Sequence, residues 1–175
     1  SAGAASGGCC ADLQRIATCF VVSPAKEQER IQDKIRQAGK VGQKIGPELI
    51  GLPPKGAINV HASLLPKYRG AAPINWAIIN GETVTGISII ALAEKMDAGQ
   101  ILAQSQTGIA ADETAGELHD RLAQIAAPIL LSTLDQIAAG AAVYIEQDHS
   151  RATLAPKLKK SDGFLDYAEP AETHA

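Results

Sequence analysis

An α/β domain, a sheet with helices packed against it, is the fold class this sequence predicts, and three observations predict it. Segments rich in β-branched apolar residues recur at 57–61, 85–92 and 101–106. Two helices with legible ends, 73–80 and 114–139, lie between and after them. The chain has 175 residues, enough for one such domain with a proper core and too few for two.

Taken in order, residues 1–13 open with SAGAASGGCC, small and low in complexity, and are expected to form a flexible tail. Ile16 to Val22 (IATCFVV) has the composition of a buried strand. Ser23-Pro24 then provides a helix cap followed by the one helical position that tolerates proline, so a helix is expected to run to about Ala38 and stop at Gly39. Its apolar positions, mainly Ile31 and Ile35, are too few for anything but a surface helix. Residues 41–56 are broken repeatedly by Gly and Pro and read as loop or one short helix.

Ala57 to His61 is the next strand, followed by an irregular loop over 66–73. Pro73 opens a short helix that Gly81 closes. Thr85 to Leu92 (TGISIIAL) and Ile101 to Gln106 are expected to pair as strands, with Asp97-Ala98-Gly99 in the turn between them. The strongest helix is 114–139. Thr114 and Glu117 make a capping box, and Leu118, Leu122, Ile125, Ile129, Leu130, Leu134 and Ile137 follow helical spacing on one side. Pro128 removes one backbone hydrogen bond inside that helix, so a kink or break is expected there. Val143 to Glu146 allows a further short strand, and 147–175, mixed and Pro-punctuated, reads as a linker toward another domain.

Composition narrows the function classes. Aromatic residues are only 3%, so the core must be built from Ala, Ile, Leu and Val. A net charge of −3 excludes a globally basic nucleic-acid-binding domain; any RNA contact must be local, with Lys157, Lys159 and Lys160 the densest cluster. Cys9, Cys10 and Cys19 make an odd count with no metal-ligand spacing, which favours a reducing compartment. No unbroken apolar run reaches membrane-spanning length. A cytoplasmic protein is expected, with an organelle left open because the chain begins with Ser.

The chemistry starts at Asn59-Val60-His61. Residues two apart on a strand project from the same face, so Asn59 and His61 stand side by side where the strand gives way to a loop, the place where open α/β sheets hold ligands. Asp97 follows a later strand in an acidic-then-glycine turn and can face the same crevice. Asn brings a neutral hydrogen-bond donor, His a proton carrier near neutrality, and Asp an orienting charge. Together they suit acyl transfer without a covalent intermediate, because no Ser or Cys sits in a nucleophile elbow. No His, Asp or Glu spacing suggests a metal, and none is expected.

Residues 58–82, INVHASLLPKYRGAAPINWAIINGE, followed by Thr85-Gly86 and Lys95-Met96-Asp97-Ala98-Gly99, resemble the signature of the formyl-tetrahydrofolate transferases. The resemblance covers roughly residues 41 to 170 and implies a partial formyltransferase sheet, Rossmann-like, with flanking helices. It makes 14–146 the catalytic domain, places the family's catalytic trio on Asn59, His61 and Asp97, and its folate-contacting loop on Ser63, Leu64, Leu65 and Pro66. The Tyr68–Pro73 stretch resembles the branch that formylates methionyl-initiator tRNA and, in a related form, the branch acting on an amino-sugar nucleotide; 152–167 (ATLAPKLKKSDGFLDY) is similar to the tRNA branch and decides between them. That implies formyl-tetrahydrofolate as co-substrate and the tRNA acceptor end as partner, with Lys67 and Arg69 in reach of it. The first 40 residues do not resemble the family's opening strands, so poor turnover and a sheet edge open to pairing with a second copy are also expected.

Overall fold

The computed structural model describes residues 19–21, 53 and 55–163. The tail, the helix expected over 24–38 and nearly all of 41–56 lie outside the described residues, as do 164–175. Four strands form one sheet in the order β1 (Cys19–Val21), β2 (Ala57–His61), β3 (Val84–Ala91) and β4 (Ile101–Gly108). Every neighbouring pair is antiparallel. Helix α1 (Pro73–Ile79) lies between β2 and β3, and helix α2 (Ala115–Ala139) follows β4. The 62–83 connection contains α1 yet returns the chain to the end of the sheet it left, which is why β3 runs back along β2.

The core lies between one sheet face and α2. Ile58 and Val60 of β2 and Ile87 and Ile89 of β3 pack with Leu118, Leu122, Ala126, Leu130 and Ile137 of α2. Ile89 and Leu118 have no exposed surface, and truncating either to Ala removes contacts worth about 2–5 kcal/mol. The capping box forms as its sequence predicts: the Thr114 hydroxyl accepts from the Glu117 N–H, and the Glu117 carboxylate accepts from the Thr114 N–H. α2 passes through Pro128 without a break. Pro128 is exposed, so its ring and the carbonyl it leaves unpaired face away from the packed stripe. By length and composition α2 is apolar enough to cross a membrane, contrary to expectation; one stripe of it, Leu118, Leu122, Ala126, Leu130 and Ile137, packs in the core, while Leu131 is exposed.

Two other expectations change. Val143 to Glu146 adds no strand; Ile145 alone bridges Ile101. Residues 147–156, expected to begin a linker, return to the body of the domain. Thr153 accepts through Oγ1 from the Tyr68 N–H and through its carbonyl from the Arg69 N–H, both at 2.8 Å. The Ala155 N–H donates to the Arg69 carbonyl at 2.7 Å, and the Trp76 indole N–H donates to the Pro156 carbonyl at 2.7 Å. Gln147 and Ala155 are buried. The packed body therefore continues past residue 146. β1 covers one side of β2, and β1 and β4 are the outer strands of the described sheet.

Candidate active site

The face of β2 away from α2 carries the site. Asn59 and His61 alternate with the core residues Ile58 and Val60, so strand periodicity turns both to that face. Across the ladder Asn59 meets Ile90 and His61 meets Ser88. Both polar side chains are buried, 6% and 5% exposed. One ring nitrogen, His61 Nε2, is 2.9 Å from the Tyr68 carbonyl, an acceptor only, so this nitrogen carries the proton. The other, Nδ1, faces the Asp97 carboxylate, with Oδ1 at 3.7 Å.

Asp97 reaches His61 by an indirect route. β3 is antiparallel to β2, and its last residue, Ala91, pairs with Ile58 at the far end of β2. Three residues at about 3.4 Å each separate that pair from His61, so the 92–100 loop must lean back about 10 Å over the sheet face. Asp97 makes the reversal in the left-handed region, with φ 50°, a conformation Asp tolerates better than most residues. Gly99 permits it, because a Cβ there would stand 1.8 Å from the Ala91 carbonyl oxygen. The Gly70 N–H donates to Asp97 Oδ2 at 2.9 Å and leaves Oδ1 on the imidazole. Asn59 and His61 share this face through strand alternation, and the returning loop brings Asp97 onto His61.

The loop after β2 is braced by residues with no sequence signal of their own. The Ser88 hydroxyl donates to the Ser63 carbonyl at 2.7 Å and accepts from the Leu65 N–H at 3.1 Å. The Gln104 amide donates to the Leu65 carbonyl at 3.0 Å and to Ser88 Oγ at 2.8 Å. Ser63 is fully buried and its hydroxyl donates to the Lys67 carbonyl at 2.7 Å, so this side chain closes the loop on itself. Leu65–Pro66 is a cis peptide. Leu64 packs over Gly86, where a Cβ would stand 2.7 Å from its Cδ2 and 2.1 Å from the Ser105 carbonyl oxygen. Beside this loop a cavity of about 330 Å3 is lined by Leu64, Pro66, Lys67, Glu82, Thr85 and Arg151, among others; none of Asn59, His61 and Asp97 reaches it.

The two cations of the loop part company. Lys67 stays at the surface and pairs with Glu82 at 3.2 Å. Glu82 also accepts from the Tyr68 hydroxyl at 2.8 Å; that bond, then the Lys67 contact, holds its carboxyl below the ordinary 4.5. Burial pushes the Tyr68 hydroxyl above its ordinary 10.0, so it stays a donor. Arg69, expected to reach toward an acceptor end, is only 4% exposed. Its guanidinium donates to the Gln147 side-chain oxygen and contacts His149 Nδ1 at 2.9 Å. Arg69 is a structural cation, held inward by residues that sequence spacing cannot bring near it. Lys157, Lys159 and Lys160 are exposed.

The described trio and its loop can move a proton and polarise a carbonyl, and among the described residues no cluster could hold a metal. The sequence profile of the formyl transferase family matches residues 23–134 and so begins upstream of the signature that carried the resemblance. A methionyl-tRNA formyltransferase of Solibacter usitatus is 52% identical over 130 residues, 74% of this chain and 42% of that protein. One from Trichlorobacter lovleyi is 47% identical over 132 residues, 75% of this chain and 42% of that protein. The chain thus spans less than half the length of these relatives. Among solved structures, the formyltransferase PseJ from Anoxybacillus kamchatkensis, in complex with UDP-4,6-dideoxy-4-formamido-L-AltNAc and tetrahydrofolate, superposes with a TM-score of 0.58 at 24% identity, over 65% of this chain and 59% of that one.

Proposed function

Because the chain belongs to the formyl transferase family, we propose that it transfers a formyl group from formyl-tetrahydrofolate to the α-amino group of methionine on initiator tRNA. The observation that carries this reading is the buried His61, with Nε2 committed to the Tyr68 carbonyl and Nδ1 turned to Asp97. At 3.7 Å the Nδ1–Asp97 gap exceeds a hydrogen bond, so Nδ1 can still exchange a proton with a reacting group while the carboxylate steadies the charged ring.

In the step itself the neutral amine attacks the formyl carbon, and the carbonyl oxygen takes up negative charge. Asn59 donates to that oxygen. The bond from the formyl carbon to the folate nitrogen then breaks, its electron pair stays on that nitrogen, and a proton joins it. The amine loses one proton and the folate nitrogen gains one, so His61 only carries a proton in transit. Leu64, Leu65 and Pro66, held by Ser88 and Gln104, form an apolar wall for the folate, and the buried Ser63 closes that loop from within. Lys67, exposed beside the loop, is the cation available to the acceptor end of the tRNA.

The choice of a tRNA acceptor is supported by relatives of that name at 47% and 52% identity. The test offers formyl-tetrahydrofolate with methionyl-tRNA or with an amino-sugar nucleotide and measures formylated product. Formylation of methionyl-tRNA alone is expected. Product only on the sugar would reassign the acceptor, and none on either, with folate still bound, would leave a folate-binding domain without turnover.

A further inference from the structure

The His61–Asp97 pair is held in place by a part of the chain far from its motif. Both partners of His61 depend on residues 68–70: the Tyr68 carbonyl accepts from Nε2, and the Gly70 N–H fixes the Asp97 carboxylate. That tripeptide is clamped through the Tyr68 and Arg69 N–H groups and the Arg69 carbonyl by Thr153 and Ala155. The Asp97 turn is held a second time by Gln147. Its side-chain N–H groups donate to the Asp97 carbonyl at 2.9 Å and the Gly99 carbonyl at 2.7 Å, while its oxygen accepts from the Arg69 guanidinium. Every polar position of this buried amide is used.

We propose that Gln147 is a positioning residue for the reaction: it locks the left-handed Asp97 turn to Arg69 and so sets the distance between Asp97 and His61. This rests on the formyl-transfer reading of the site. A residue in the left-handed region persists only when its surroundings over-determine it. Here the surroundings are two carbonyls pulled onto one amide and a carboxylate pulled onto Gly70. Without the amide the turn keeps the carboxylate tie and its own bond from the Ala98 N–H to the Lys95 carbonyl, but nothing fastens it to Arg69, and Oδ1 is freer to drift from the imidazole. Gln147 itself need touch neither substrate.

Two variants separate positioning from bulk support. Gln147→Ala removes all four contacts, whereas Gln147→Glu keeps an acceptor for Arg69 and loses the donors to the turn. With the whole chain, we expect both to lower kcat tenfold or more, since a misplacement of about 1 Å costs on the order of a hundredfold. KM for folate and acceptor should stay within about threefold, because binding surface is untouched. The imidazole 15N–1H spectrum needs no turnover: the His61 ring signals should shift in both variants at a temperature where the proteins remain folded. If Gln147→Ala does not fold, Gln147→Glu decides alone. Recovery of kcat by Gln147→Glu, or His61 signals unchanged in a folded variant, would overturn the proposal. If the parent chain shows no formyl transfer, the functional reading fails, and the His61 signals still decide whether Gln147 sets the pair.

Discussion

His61 Nδ1 and Asp97 Oδ1 lie 3.7 Å apart although the strands that lead to them end at opposite ends of the sheet. The pair is a product of loop geometry rather than of neighbouring strand ends. Its charge and its geometry are therefore separable by mutation, because the shape of the turn rests on Gln147 and Gly70.

Asp97→Asn tests the charge alone. Asn tolerates the left-handed region and can still accept from the Gly70 N–H, so the turn should survive. Turnover is expected to fall about a hundredfold or more, with the melting temperature nearly unchanged. Turnover within a few-fold of the parent would show that Asp97 only shapes the loop.

His61→Ala carries two costs. It removes the proton carrier, an expected loss of about a hundredfold or more in kcat. It also leaves the Tyr68 carbonyl without its buried partner, worth about 1–3 kcal/mol of stability. Kinetics and thermal melting of the same preparation report both, and a melting loss with no specific kinetic loss would make this histidine structural.

Ser88→Ala removes the hydroxyl that ties the Ser63 carbonyl and the Leu65 N–H to β3. The folate wall should loosen while the trio keeps its charges, so KM for the folate is expected to rise several-fold more than kcat falls. A pure kcat effect would move Ser88 from the folate wall to the reacting centre.

Acid should destabilise the fold through three glutamates. The Arg121 hydrogen bond lowers Glu113, the Thr114 N–H lowers Glu117, and the Tyr68 hydroxyl lowers Glu82, each from an ordinary 4.5. Groups depressed on folding stabilise above their unfolded pKa, and that stability is lost as pH falls through the folded value. Melting temperature is therefore expected to fall as pH drops below the ordinary 4.5, and less steeply in Glu113→Gln. An equal slope in the variant would rule out the Arg121 pair as a contributor.

Much of the domain is legible in sequence because it is local. β2 takes its expected bounds, and the α2 cap forms from a four-residue motif. Asn59 and His61 share a face because strands alternate. What spacing cannot show is partnership across the chain. Arg69 reads as a loop cation until Gln147, separated from it by 78 positions, takes its guanidinium. Ser88 is one hydroxyl in an apolar strand, and nothing local marks it as the brace of a loop 25 residues away. The docking of residues 147–156 is hidden for the same reason: they are polar enough to read as a linker, and the bonds that hold them, backbone and side-chain alike, span long stretches of sequence.

The bond from Trp76 to the Pro156 carbonyl has a practical side. Trp76 is the sole tryptophan of the chain, and its indole N–H ends on the segment that clamps the site. Intrinsic fluorescence excited at the indole band therefore reports on one place only, the docking of that segment on α1. Detachment of the segment would free the N–H to water and red-shift the emission, so the protein carries its own optical gauge of site assembly, readable without label or substrate.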